Sequence, residues 1–184
     1  TIIGKDNIVE VAPKIWILKK PIELQPGTML VLDKKEVTWL RLLSTDKYIT
    51  SIRAFSAVVQ INGVKVTSWD PRNKTYDTNY ENGRSYIFVK DASRMDIYNS
   101  ELAYLGYPRP LEGQYSTYGV SWKMSNNKFA STILSGEVKN SKFHHNYFGA
   151  YTFGATGMVW SKNKFYENVR YGLDPHDDSN GFLV

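Results

Sequence analysis

The residues best suited to chemistry lie near the C-terminus, in segment 171–179, YGLDPHDDS. His176 follows Asp174 across a single proline, and Asp177 and Asp178 come directly after it. An imidazole titrates near neutral pH and a nearby carboxylate can orient it, so the pair suits general acid–base catalysis. The same cluster could bind calcium through its oxygens or form a solvated turn. The calcium alternative is the weaker one, because the spacing matches no known calcium-binding loop.

Composition and charge exclude several kinds of chemistry. The 184 residues include no cysteine, so thiol nucleophiles, disulfides and cysteine-ligated zinc are ruled out. The net charge of +5 mildly favours a polyanionic partner. The basic residues are scattered, so no nucleic-acid partner is expected. No apolar run approaches about 18 residues, so no membrane span is expected, and the length fits one domain.

The elements that must position the cluster are predicted to be short strands. Glycine and proline recur, and runs rich in β-branched and aromatic residues outnumber helical patterns. Segments 140–149 (NSKFHHNYFG) and 163–172 (NKFYENVRYG) form an internal repeat, with Phe143 and Phe165 22 residues apart. Such a period is typical of a parallel β-solenoid with one coil per repeat. A β-sandwich with a chance repeat is the alternative.

The repeat predicts two internal stacks. Phe143 should stack on Phe165 inside the coils, because the two rings occupy the same position in successive repeats. Asn146 should stack on Asn168 at a turn and form a side-chain amide ladder. Both stacks are expectations about which residues share a coil position.

The chain divides into a cap and a set of coils. Segment 1–50 lacks the repeat and is predicted to form an N-terminal cap with the first strands, followed by coils over 51–184. The polar stretch 70–84 is predicted to be a loop that leaves the wall, and a second excursion starts at Tyr107. We expect the solenoid to be truncated at its C-terminal coil, whose open edge invites end-to-end self-association.

Three glycines, Gly119, Gly149 and Gly172, close successive coils, and the strands beside them form one outer face. Residues two and four positions after each glycine point the same way, because side chains alternate along a strand. The chemically informative residues at these positions are Lys123, Tyr151, Phe153, Asp174 and His176. Lys123 should lie two coils from His176, roughly 10 Å at about 4.8 Å per coil. Tyr171, next to the last glycine, starts the same strand.

This face suits proton abstraction from a sugar acid. Removing the proton at C5 of a uronate creates a carbanion beside a carboxylate, so that carboxylate must be neutralised by a cation or an acid. A histidine or a polarised tyrosine can take the proton, and a second group on the opposite side of the ring can return one. Asp174 can orient the imidazole or hydrogen-bond the substrate carboxylate. The scheme requires no cofactor and no metal.

The chain resembles the mannuronan C5-epimerases, alginate-modifying enzymes built on a right-handed parallel β-helix. The resemblance rests on YGLDPHDDS, which is similar to the Tyr-Gly-Phe-Asp-Pro-His signature of that family. Segments INGVKVTSWD (61–70), NSELAYLGY (99–107), YGVSWKM (118–124) and SKFHHNYFGAYTFGA (141–155) support it. It extends from residue 61 to the C-terminus. It is nearest to the periplasmic branch, which acts on polymannuronate during alginate export.

The resemblance implies an all-β parallel β-helix with an isomerase activity, a uronate polymer as partner and a periplasmic or extracellular location. It implies that His176 and Tyr171 form the acid–base pair and that Asp174 assists at the substrate carboxylate. The residues expected to contact substrate are Lys123, Tyr151, Phe153, Asp177 and His145. Family members continue for several coils, one of which brings a carboxylate-neutralising arginine that has no counterpart in this chain.

Two other functions remain open. A polysaccharide lyase would form the same carbanion and then eliminate the 4-O substituent instead of reprotonating C5. A carbohydrate-binding or structural β-helix would have the fold without catalysis, because this fold also supports inert surface proteins.

Overall fold

The structure is a computed structural model that describes residue 4 and residues 6–108, 118–125 and 132–184. Over these ranges the chain forms eighteen β-strands and no helix. Strand β1 (Ile8–Ala12) comes first, and the rest follow coil by coil. The coils comprise β2 (Ile15–Leu18), β3 (Ile22–Leu24) and β4 (Met29–Asp33); β5 (Trp39–Leu43), β6 (Ser51–Phe55) and β7 (Val58–Asn62); β8 (Lys65–Trp69), β9 (Tyr86–Lys90) and β10 (Arg94–Tyr98); β11 (Glu101–Ala103), β12 (Gly119–Lys123) and β13 (Glu137–Lys139); β14 (Lys142–His144), β15 (Phe148–Phe153) and β16 (Val159–Ser161); and β17 (Lys164–Tyr166) and β18 (Leu173–His176).

The coils stack into three parallel sheets. Sheet A contains β2, β5, β8, β11, β14 and β17, with β1 at its edge. Sheet B contains β3, β6, β9, β12, β15 and β18, and sheet C contains β4, β7, β10, β13 and β16. Each coil strand pairs with the strand three positions further along the chain, which is the topology of a parallel β-helix. The predicted all-β fold is confirmed, and the sandwich alternative is wrong.

The N-terminal end differs from the coils. Strand β1 pairs antiparallel with β2 and covers the edge of sheet A. Parallel stacking already begins where β2 pairs with β5, within the segment 1–50 that we assigned to the cap and first strands. The boundary at residue 50 stays a prediction. In the described part of the chain no helix is long and apolar enough to cross a membrane.

The core consists of side chains stacked from coil to coil. Leu102, Phe143 and Phe165 occupy one internal position in β11, β14 and β17. Phe143 is fully buried, and its ring stacks on Phe165 with centroids 5.0 Å apart. The predicted phenylalanine stack is therefore confirmed, and it fixes the register of sheet A.

The asparagine ladder is present, but its hydrogen bonds run between side chain and backbone. Asn146 Oδ1 accepts from the backbone N–H of Leu105, and its Nδ2 donates to the carbonyl of Leu102. Asn168 repeats the pattern one coil later, since its Oδ1 accepts from the Asn146 N–H and its Nδ2 donates to the Phe143 carbonyl. Each asparagine thus ties its own turn to the coil before it and satisfies backbone groups that the turn would leave unpaired.

Residues 70–84 form a loop between β8 and β9, as predicted, but this loop packs back onto the wall. The Tyr76 ring stacks on Tyr104 with centroids 4.6 Å apart, and Arg84 is buried with an exposed fraction of 1%. The loop is therefore packed as part of the folded β-helix. Most of the second excursion, residues 109–117, lies outside the described residues.

Candidate functional site

The outer face of sheet B gathers the predicted catalytic residues. Strands β12, β15 and β18 pair in register, so that Ser121, Tyr151 and Asp174 align in one column. Lys123, Phe153 and His176 align in a second column, two residues further along each strand. This is the arrangement predicted from the closing glycines. Since the side chains of the two columns point the same way, five of the predicted site residues share one surface.

Strand β18 has a sequence that suits its position. Leu173 turns inward and packs against the core, whereas Asp174 and His176 alternate outward. Pro175 lies between them and pairs with Thr152 of β15. Proline has no N–H to donate, and its fixed φ keeps the strand extended between the two outward residues. The short Asp-Pro-His motif therefore presents two outward groups from one rigid strand.

His176 lies against an aromatic surface. Its ring centroid is 5.7 Å from that of Tyr151 and 6.4 Å from that of Phe153. Its Nε2 lies 3.7 Å from an Asp177 oxygen, and both side chains are well exposed. Asp177, and not Asp174, is thus the carboxylate that faces the imidazole. An exposed pair at this distance holds the ring weakly, so the imidazole is accessible to a ligand.

Tyr151 forms the platform beneath this site. It is buried, with an exposed fraction of 5%, and its ring stacks on Tyr118 with centroids 3.9 Å apart. Burial raises the pKa of Tyr151, and Tyr118 and Asp174 raise it further. The phenol therefore stays neutral in the free protein, and the buried ring supports the exposed His176 beside it.

Tyr171 lies at the corner that leads into β18. Its side chain is 61% exposed, and its ring meets Phe148 edge-to-face with centroids 5.5 Å apart. Phe148 in turn meets Tyr118 at 5.0 Å, so the three aromatic residues before the glycines form a stack at the corner. Among the described residues, Tyr171 has no contact with His176 or Asp174.

Lys123 has a neighbour that the sequence analysis missed. Lys90 of β9 pairs directly with Lys123 of β12, so the two lysines are adjacent in the column that ends at His176. Burial lowers the pKa of Lys123, and the charge of Lys90 lowers it further. Two neighbouring cations on one face attract a carboxylate more strongly than one does. The two residues are 33 positions apart, and a repeat of constant length could not align them.

The structure does not bring His145 to this face. His145 follows β14 at the corner between sheets A and B, where its ring stacks on Tyr104 with centroids 4.8 Å apart. Its Nδ1 lies 2.8 Å from His144 Nδ1, and its Nε2 lies 3.4 Å from Glu167. These contacts belong to the sheet A side of the corner. His145 and the sheet B residues therefore belong to separate groups.

The acidic and histidine side chains of the segment 174–178 do not form a metal-binding cluster. In the described ranges no three His, Asp or Glu side chains come together as ligands for a cation. The segment 174–178 holds its oxygens apart because Asp174 lies on the strand and Asp177 in the turn that follows it. The calcium alternative stays a prediction.

Comparison with known proteins supports the resemblance found in the sequence. No family model matches the chain. The mannuronan C5-epimerase of Pseudomonas fluorescens is 25% identical over 189 residues, covering 99% of this chain and 34% of that protein. Mannuronan C5-epimerase AlgG of Azotobacter vinelandii is 25% identical over 186 residues, covering 97% and 34%. The chain thus spans about a third of the length of these curated relatives.

A solved structure shows the same fold. The crystal structure of the periplasmic alginate epimerase AlgG superposes with a TM-score of 0.86 at 22% identity, covering 99% of this chain and 42% of that one. The resemblance to the mannuronan C5-epimerases, which rested on segments from residue 61 onward, therefore extends over nearly the whole chain.

Proposed function

We propose that this chain is part of a periplasmic or extracellular mannuronan C5-epimerase, and that sheet B binds a uronate polymer and carries the catalytic groups. The observation that carries the proposal is the register of β12, β15 and β18, with Asp174 and His176 on the outer face that also holds Lys123 and Tyr151. The fold alone would not support an activity, because β-helices serve many functions. The shared face adds a base, a cation and an aromatic platform.

Binding begins with charge. Lys90 and Lys123 lie side by side on adjacent strands, and burial already disfavours the charge of Lys123. A substrate carboxylate placed against Lys123 compensates for the lost solvation of its ammonium group. Coils about 4.8 Å apart and sugar units of similar length allow one polymer strand to run along the column toward His176.

His176 is the proposed base. Its imidazole takes the proton from C5, the C–H bond breaks, and the electron pair delocalises into the adjacent carboxylate. An Asp177 oxygen lies 3.7 Å from Nε2, beside the ring that receives the proton. Asp174 lies two residues before His176 on the same strand and points the same way. Its carboxyl group hydrogen-bonds the substrate carboxylate when one of the two groups carries a proton.

Tyr171 is the proposed acid. Its exposed phenol lies at the corner beside the strand that presents His176. A phenol donates a proton to the carbanion from the opposite side of the ring, which inverts C5, and the phenolate and imidazolium then re-equilibrate with water. The net reaction moves no electrons to a cofactor, and each proton taken at C5 is replaced.

The test is incubation of the protein with polymannuronate in deuterated water. Epimerisation gives guluronate signals in the proton NMR spectrum, with deuterium incorporated at C5. A lyase would give an unsaturated product that absorbs in the near ultraviolet, and a binding or structural protein would give neither. Either of the last two outcomes contradicts the proposal.

A further inference from the structure

A cavity of about 390 Å³ opens where the loop 70–84 crosses the corner between sheets A and B. We call it the corner pocket. It is lined by Thr78, Tyr80, Arg84, Tyr104, His145, Glu167 and Val169. This volume lies within the usual range for small-ligand sites, roughly 300–1,000 Å³. None of these residues lies on the sheet B strands that carry the proposed catalytic groups.

Arg84 holds the floor of the corner pocket in place. Its Nε donates to the backbone carbonyl of Gly106 at 2.9 Å. Its two Nη atoms donate to the backbone carbonyls of His145 at 3.0 Å and Leu105 at 3.3 Å. The side chain is almost fully buried, and burial lowers its pKa to about 10. One loop residue thus connects the turns of two further coils, so the pocket is rigid and preformed.

The corner presents three large polar side chains from an uncommon backbone conformation. Tyr104, His145 and Glu167 directly follow β11, β14 and β17, with φ values of 58°, 55° and 52°. Glycine and asparagine adopt this left-handed conformation most readily. At the corner between sheets C and A the equivalent positions hold Asn99, Asn140 and Lys162, all with positive φ. The left-handed turn thus accepts several residue types, and at the corner between sheets A and B it directs Tyr104, His145 and Glu167 toward the pocket.

The chemistry of the pocket fits a sugar ring. Tyr104 lies in an aromatic stack with Tyr76 and His145, and Tyr104 and His145 line the pocket. Tyr80 lies near the Arg84 guanidinium, which is 5.7 Å from its ring. The Glu167 side chain is 63% exposed, and its carboxylate oxygen lies 3.4 Å from His145 Nε2. A carboxylate only accepts hydrogen bonds, so it pairs with adjacent hydroxyl groups and repels an anionic group. The Tyr80 ring, which lies outside this stack, offers an apolar surface to the same sugar ring.

We propose that the corner pocket binds a pyranose unit of a saccharide through its hydroxyl groups. The proposal rests on the proposed function only for the identity of the polymer. Ring contacts connect the pocket to the catalytic face, since Tyr80 meets Tyr147 at 6.1 Å, Tyr147 meets Phe148 at 5.3 Å, and Phe148 meets Tyr171 at 5.5 Å. A polymer held at both places gains affinity through the effective concentration of the second contact.

The test measures binding separately from turnover. Mannuronate trimer and neutral mannotriose are each added while the ring resonances of Tyr104 and His145 are followed by NMR. We expect neutral mannotriose to shift these resonances and mannuronate trimer to shift them more weakly, because recognition is through hydroxyl groups and Glu167 repels the uronate carboxylates. In Glu167→Gln the affinity for mannotriose measured from these shifts should fall about tenfold, a change that corresponds to about 1.4 kcal/mol. Glu81→Gln, the same substitution at an exposed residue of the loop 70–84 that does not line the pocket, should leave the affinity unchanged.

The inference is overturned if neither sugar shifts the two rings, or if Glu167→Gln and Glu81→Gln bind alike. Tyr80→Ala is a second variant, which should also reduce the sugar-induced shifts of the two rings. Tyr80 lies outside the strands of the β-helix, so its loss should leave the fold intact. The two proposals fail independently. Ring shifts without epimerisation would contradict the proposed function alone, and epimerisation without ring shifts would contradict the corner pocket alone.

Discussion

Lys123 of β12 pairs in register with Lys90 of β9, so the two lysines lie on adjacent strands of the outer face of sheet B. Burial lowers the pKa of Lys123, and the charge of Lys90 lowers it further. Like charges directly opposite each other on neighbouring strands destabilise a sheet. Lys123 is therefore better suited to holding an anion than to stabilising the free protein.

Lys123→Gln should leave the melting temperature unchanged or raise it, because the substitution removes one of two repelling charges. The same substitution should weaken the binding of polymannuronate by about tenfold or more, since a charged hydrogen bond contributes about 1.5–3 kcal/mol. Calorimetric titration and a thermal melt measure the two effects. Lys142→Gln, an exposed lysine on sheet A, is the control and should change neither.

Phe143→Ala should destabilise the protein by about 3–5 kcal/mol, because the ring is fully buried against Phe165. Phe153→Ala should cost clearly less, since Phe153 is only partly buried and faces Lys123 and His176. Urea unfolding of both variants measures the difference. Equal losses for the two would contradict the assignment of inner and outer positions in the fifth coil.

Glu101 should make the stability depend on pH in the acid range. Its pKa is lowered from 4.5 to about 2, first by the hydrogen bond with His144 and then by Lys65, against the opposing effect of burial. A carboxyl with a lowered folded-state pKa stabilises the protein above its unfolded value, and this stabilisation is lost as pH falls through the folded value. The loss should therefore occur between pH 4.5 and pH 2.

Glu101→Gln isolates this contribution. The variant should be less stable than the wild type at neutral pH, and the difference between their urea midpoints should shrink as pH falls from 4.5 to 2. Glu81→Gln should show no such convergence, because Glu81 is exposed. A constant difference between the Glu101 variant and the wild type across this range would argue against the His144 and Lys65 contacts.

The register of the proposed catalytic face was predictable from the sequence because a glycine marks the same position in three successive coils, although these coils differ in length. Counting from the glycines placed Lys123, Phe153 and His176 in one column, as the structure does. Lys90 was missed because β9, which lies in the segment SYIFVK, has no glycine at that position. The pairing of β9 with β12 therefore required the folded chain.

The corner residues were harder to place. His145 was grouped with the substrate-contacting residues, but the left-handed turn after β14 directs it toward Tyr104 and Glu167. Strand alternation predicts side-chain direction only within a strand. At the turns, direction depends on φ, which the residue types at this corner do not reveal. The burial of Arg84 was also not predicted, because its partners are backbone carbonyls.

The most direct test of the account is the turnover of His176→Ala on polymannuronate, measured as guluronate formed by NMR. We expect the rate to fall by about 10²–10⁴-fold, the usual contribution of a general base. The melting temperature should be unchanged, because the side chain is exposed and lies on the outer face. A variant that kept the wild-type rate with an intact fold would contradict the central claim that His176 removes the C5 proton.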